Sequence, residues 1–223
     1  MKITEVIHDL QSNANPSRRK VMLRNGGAED CLGVNLGYLR QYALKLKNNE
    51  DLLYALWSTD ITDANLLAAM AYSDQPCTLD EFQELIEQST YIEINDELCF
   101  KSSLNPKDKN MLIQLWIDSE YPLLRRSAWD LIITLILDKN ATPKQINTWL
   151  KRIKKDMLKE TGRAQETMNR ALSEIGIHYD EYTQECIKLG EDIGLYKDYK
   201  PSKGCTSPYA PIWINVLRKK LNK

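Results

Sequence analysis

Apolar residues recur three and four positions apart along the whole chain, and no segment alternates strictly over the length of a strand. That spacing predicts an all-α protein of about eleven helices of ordinary length. Start signals fall where such helices need them. Thr78 with Glu81 and Thr142 with Gln145 read as capping boxes, and Pro106, Pro143 and Pro208 occupy first-turn positions after Asn105, Thr142 and Ser207. Trp129 to Leu137 is apolar nearly all round, which predicts an inner helix covered on every side. Short connections make successive helices antiparallel, and a row of such hairpins stacks into a curved α-solenoid. No strict sequence period is visible, so any repeats are structural and degenerate.

The segment from Lys144 to Glu160 assigns its faces most clearly. Ile146, Trp149, Leu150, Ile153 and Met157 share one stripe of a helical projection, while Lys144, Lys151, Lys155 and Lys159 fall on the other side. One face is core and the other a basic ridge. Any amphipathic helix turns something polar outward, and Lys is a common choice. A polyanion becomes the better reading because Arg18, Arg19, Lys20 and Arg24, and then Arg218, Lys219 and Lys220, add clusters of the same sign.

Net charge hides this sorting. The chain totals -1 at pH 7, yet residues 48 to 100 hold twelve Asp and Glu with no Lys or Arg, whereas Lys139 to Arg163 carries eight basic residues against Asp156 and Glu160. Binding responds to the local potential of a face rather than to the sum. The basic stretch is therefore the candidate for phosphates, and the acidic one for any chemistry that needs a carboxylate.

Composition narrows the class further. A length of 223 residues, 43% of them hydrophobic, suffices for one large domain spanning 1–223. Five cysteines, Cys31, Cys77, Cys99, Cys186 and Cys205, are odd in number, scattered and without a Cys-x-x-Cys pair, which predicts thiols acting as small apolar residues in a reduced, cytoplasmic setting. MKITEVIHDLQSN threads charges through its apolar positions and reads as no signal peptide, and the longest apolar run, Leu131 to Leu137, is far short of a membrane span. His8 and His178 are too few and too far apart for a metal site. No Gly-rich phosphate loop, Ser-His-Asp pattern or zinc-protease motif is present. Neither a metal nor a cofactor is expected.

Three stretches together resemble the AlkD-like DNA alkylation repair glycosylases, which are built from HEAT-like helical pairs. The first is Leu32-Gly33-Val34 followed by Leu39-Arg40 and Ala43, then Leu56-Trp57 with Asp63 and Ala68. The second runs from Phe82-Gln83-Glu84-Leu85-Ile86 to Tyr91-Ile92-Glu93-Ile94-Asn95-Asp96; the matching family run ends in two adjacent Trp and then the catalytic Asp, and a gapless register sets Asp96 on that Asp. The third is Leu115-Trp116-Ile117 through Leu124-Arg125-Arg126-Ser127-Ala128, similar to a family segment whose Arg lies beside the catalytic Asp; Arg126 matches it. The likeness continues through Met168-Asn169-Arg170-Ala171-Leu172. Ile92 and Tyr91 stand where the family has its paired Trp, and Arg170 where it has a second groove Trp, so the aromatics that would lie against the damaged nucleotide are replaced.

The resemblance implies a HEAT-like solenoid with a concave basic groove acting on alkylated double-stranded DNA, with Asp96 and Arg126 catalytic and Tyr91 and Arg170 at groove positions; Arg125 and the ridge residues Lys151, Lys155 and Lys159 are expected to contact the DNA as well, and a monomer is expected. On the residues alone, Asp96 also reads as a solvated helix carboxylate beside Glu93 and Glu97, and Arg126 as a buried-edge Arg paired to Glu120 or Asp130. Three functions follow. The first is hydrolysis of the N-glycosidic bond of cationic N3- or N7-alkylpurines; the second is a non-catalytic relative that binds DNA; the third is an α-solenoid interaction module whose acidic segment docks a basic partner.

Overall fold

The computed structural model describes residues 1–46, 49–72, 78–160 and 163–221; Cys77 lies outside them. Among the described residues there are thirteen α-helices, one 3-10 turn and no strand. The helices are α1 Ile3–Ser12, α2 Pro16–Arg24, α3 Leu36–Leu46, α4 Glu50–Trp57, α5 Thr62–Tyr72, α6 Leu79–Gln88, α7 Ile92–Phe100, α8 Pro106–Trp116, α9 Pro122–Leu137, α10 Pro143–Asp156, α11 Ala164–His178, α12 Thr183–Ile193 and α13 Ala210–Leu221.

Local chemistry explains where they begin. Pro16, Pro106, Pro122 and Pro143 each occupy the first turn of a helix, where the missing N–H would have had no partner. Both expected capping boxes form: Thr78 accepts from the Glu81 N–H while the Glu81 carboxylate accepts from the Thr78 N–H at 2.8 Å, and Thr142 and Gln145 repeat the arrangement. Pro208 is not a first-turn residue, because α13 starts at Ala210 with Pro211 inside its first turn. The basic helix ends at Asp156 rather than at Glu160. Gln165 there takes the Met157 carbonyl at 2.8 Å and Glu160 turns toward Arg125, so the chain leaves the helical path.

Contacts divide the chain into two compact units, Met1–Asn105 and Pro106–Lys223. In the first, α5 is the hub, buried from Thr62 to Ala71 except at Asn65 and packed by α3, α4 and α7. Its Ala64, Ala68, Ala69 and Ala71 keep the surface low enough for three neighbours to approach. In the second, α9 packs on α8 and α11, and Ala128 through Ile136 are buried, as the all-round apolar pattern predicts, whereas Leu137, expected inside, is exposed at the end of the helix. Helix α11 is the other inner element, meeting α9, α10, α12 and α13. A Cβ at Gly176 would come 2.7 Å from Ile214 Cδ1 and 2.9 Å from Cys186 Cβ, so only glycine admits that approach. Cys31, Cys99 and Cys186 are buried thiols, and burial pushes Cys186 up to about 12, well away from reactive thiolate.

Candidate nucleic-acid interface

Helix α7 carries the Asp expected from the sequence. Ile94, Asn95, Leu98 and Cys99 are buried, and α7 packs on α5, which leaves Glu93, Asp96 and Glu97 together on a half-buried face three and four residues apart. Glu93 and Glu97 meet arginines from other helices. Arg18 of α2 pairs with Glu93, and Arg40 of α3 reaches Glu97 at 3.6 Å, with Lys101 a further 4.0 Å contact. Asp96 is half-buried between them along the chain.

Tyr91 does not offer its ring to a ligand. It is the N-cap residue of α7, only 1% exposed, turned into the unit where burial first and then the Glu93 carboxylate raise its phenol well above the usual range. The aromatic expected at this position is spent in the core.

Adjacent positions on a helix point about 100° apart, and Arg125 and Arg126 of α9 accordingly serve different partners. Arg125 clasps Glu160 through Nε at 3.0 Å and Nη2 at 2.6 Å, and donates through Nη1 to the carbonyls of Ser119 at 2.7 Å and Glu120 at 3.1 Å. Its donors are engaged within the unit, so it acts as a clasp between the start of α9 and the turn after α10 rather than as a phosphate ligand. Arg126 is 7% exposed, lying 3.8 Å from Asp130 and 3.5 Å from Glu166 while donating to the Arg163 carbonyl at 2.8 Å. Of its two sequence-suggested partners, Asp130 is the one found. Such a residue registers first in stability: Arg126→Ala is expected to lower the unfolding free energy by about 2 kcal/mol, read from the urea midpoint.

Arg126 and Arg170 are brought onto a common ladder. Glu166, which Arg126 approaches, lies one turn before Arg170 on α11, and Arg170 Nε meets Glu174 at 3.4 Å, with His178 Nε2 3.3 Å from the same carboxylate group. Arg170 therefore has an acidic neighbour, but its side chain keeps 38% of its exposure.

The lysine ridge is an open cationic surface. Ile146, Trp149, Leu150 and Ile153 are buried on the side of α10 that faces α11 and α12, and Lys144, Lys151, Lys154 and Lys155 are exposed on the other. Lys159 follows in the turn beyond the helix, also exposed. Arg152 is the exception on this helix, bound to Asp118 at 2.5 Å and Asp156 at 3.1 Å, and its hydrogen bond holds the Asp118 carboxyl below the usual range. The ridge consists of long, separately hydrated ammonium groups, which suits phosphates and reads no base sequence. The sequence reading missed the Arg18–Glu93 and Arg40–Glu97 pairs, although the surplus of acids in 48–100 required cations from outside that segment.

Known proteins can be set beside this geometry. The pattern of the DNA alkylation repair enzyme family matches residues 6–214. The uncharacterised protein Lin0241 of Listeria innocua is 25% identical over 222 residues, covering 96% of each chain. The uncharacterised protein Lmo0209 of Listeria monocytogenes is 25% identical over 218 residues, covering 94% of each. Among solved structures, one from a family of proteins related to the HEAT-like repeat DNA glycosylases, with affinity for branched DNA structures, superposes with a TM-score of 0.78 at 20% identity, over 100% of this chain and 94% of the other. The fold is thus the HEAT-like one, and with nearly the whole length matched the chain belongs to the DNA alkylation repair enzyme family.

Proposed function

We propose that the protein binds duplex DNA through the lysine ridge of α10 and hydrolyses the N-glycosidic bond of cationic N3- or N7-alkylated purines, with Asp96 as the charge-stabilising carboxylate. The observation that carries this reading is the setting of Asp96. Asp96 is half-buried on α7, and the gapless register of the sequence resemblance sets it on the family's catalytic Asp. An alkylated purine is already a cation, so the bond from C1′ to the base breaks with its electron pair going to the ring, and no acid is needed to protonate the leaving group. What the protein must supply is an anion beside the developing oxocarbenium sugar and a positioned water whose oxygen bonds C1′ and whose proton passes to the carboxylate. Release of free methylated purine from alkylated duplex DNA tests the reading directly.

The ridge has its own test. Lys151→Glu, Lys155→Glu and Lys159→Glu are expected to weaken duplex binding for every sequence alike, each lost phosphate contact lowering the slope of log affinity against log salt by about one unit. Binding that ignores salt would remove the ridge from the interface.

A second reading is favoured by the fate of the aromatics. Tyr91 is buried and Arg170 stands at the second aromatic position beside Glu174, so neither place offers a ring to stack on a nucleotide. On this reading the chain binds DNA without turnover, and branched DNA, for which the structurally similar family has affinity, is the substrate class. Tighter binding of a four-way junction than of a linear duplex, with no base released, selects it.

A further inference from the structure

The first unit bears a charged feature that phosphates cannot use. Two cavities of about 350 and 640 Å³ share the side chains of Tyr54, Trp57, Glu84 and Gln88 as a common wall. The first adds Glu50 and Glu81 to its lining, and the second Glu29, Asp30 and Asp60. No Lys or Arg lines either one among the described residues; Arg19 touches the rim of the second, 3.4 Å from Glu29.

The shared wall is arranged in advance. Gln88 accepts from the Trp57 indole N–H at 3.1 Å and donates to the Glu84 carboxylate at 2.8 Å, so one amide fixes an aromatic face and an anion relative to each other. Tyr54 stands 75% exposed on the preceding turn of α4, and Glu81 is held in place by Thr78. Aromatic faces beside carboxylates attract a guanidinium or ammonium group both through the ring quadrupole and through charge, and among the described carboxylates of the two linings Glu29 alone meets a cation, Arg19. No three of the described Asp, Glu, His or Cys side chains converge closely enough to hold a metal ion, so the anions are spread along a trough rather than gathered at a point. Adjacent cavities with one common wall fit successive side chains of an extended chain.

We propose that this trough docks an extended Lys- or Arg-bearing segment of a partner protein, with cationic side chains held between Tyr54, Trp57 and Glu84. The site is independent of the DNA-binding reading and does not need it to be correct. Fluorescein-labelled short peptides alternating Arg with Gly, and Lys with Gly, titrated with the full-length protein and followed by anisotropy, provide the test. Saturable binding is expected, weakened roughly tenfold by Glu84→Lys and by Tyr54→Leu, both exposed positions whose replacement leaves the fold intact by circular dichroism. Asp198→Lys, an exposed change of the same charge in the second unit, should leave peptide affinity unaltered, and Tyr54→Leu should leave duplex affinity unaltered. The proposal is overturned by absent saturation, by Asp198→Lys weakening the peptide as much as Glu84→Lys, or by spermidine competing at equal charge concentration, which would mark a site for small polycations.

Discussion

Asp96→Asn is expected to abolish release of methylated purine from alkylated duplex DNA while leaving duplex affinity equal or slightly higher. The substitution keeps the shape of a half-buried side chain on α7 and removes only its charge. Removing one oriented charge that faces a developing transition state costs about 2.7 to 4 kcal/mol of barrier, a hundredfold or more in rate. Binding moves the other way because one anion no longer faces the phosphates. Glu93→Gln and Glu97→Gln are informative companions. Those carboxylates are matched with Arg18 and Arg40, so their loss should appear in stability and leave the rate of base release within a few-fold of the unsubstituted protein. A wild-type protein that releases no base, yet binds a junction tightly, transfers the chain to the non-catalytic reading; a wild-type rate in Asp96→Asn removes Asp96 from the chemistry.

How legible the fold was depended on how completely a helix is buried. Helix α9 declares itself because Leu131 to Ile136 leave no polar side to read as a surface, and α10 because its two faces are cleanly separated. Helix α5 is buried almost as fully, but its interior is built from alanines and begins with Thr62 and Asp63, so its sequence looks like an ordinary surface helix. The end of α10 was misjudged for a different reason. Lys159 continues the lysine spacing past Asp156, and the contacts that stop the helix, Gln165 on the Met157 carbonyl and Arg125 on Glu160, come from elsewhere in the chain.

The site was less legible than the fold, because a polar residue's role depends on its partners. Sequence supplied Arg125 and Arg126 as a pair of basic residues in an apolar helix, but not that the first would spend its donors on Glu160 and two carbonyls while the second settled against Asp130 and Glu166. Tyr91 shows the same limit for aromatics. The resemblance set it where the family has a groove Trp, whereas its place as N-cap of α7 turns the ring inward. For the ridge lysines the sequence read the exposure correctly, since long ammonium side chains on a clean amphipathic face turn to water.

The pattern shared with the family contains one residue whose role is structural, and its replacement should be the most damaging to folding. Asp63 is fully buried in the first turn of α5, and its carboxylate accepts from the backbone N–H groups of Leu32 at 2.6 Å, Gly33 at 3.3 Å and Val34 at 2.7 Å. Those three residues belong to the stretch between α2 and α3 that forms no helix and therefore has no ladder of its own to satisfy its donors. Gly33 takes φ +79 there, and a Cβ would collide with the backbone of Asn15 and Arg19. The Leu32-Gly33-Val34 and Asp63 elements of the resemblance are thus two halves of one contact, a strained turn and the anion that pins it beside the N-terminus of α5. Asp63→Ala strands three backbone donors at once. With each unsatisfied buried group costing about 1–3 kcal/mol, the loss should be about 4 kcal/mol or more, a large share of the stability of an ordinary domain. Asp63→Asn keeps one acceptor oxygen and should lose less. Urea unfolding followed by circular dichroism reads both, and amide exchange at Leu32 and Val34 should accelerate in Asp63→Ala even under native conditions. An unchanged urea midpoint in Asp63→Ala would mean that the 28–34 segment is held by Arg19 and Asn15 alone, through the Cys31 and Leu32 carbonyls.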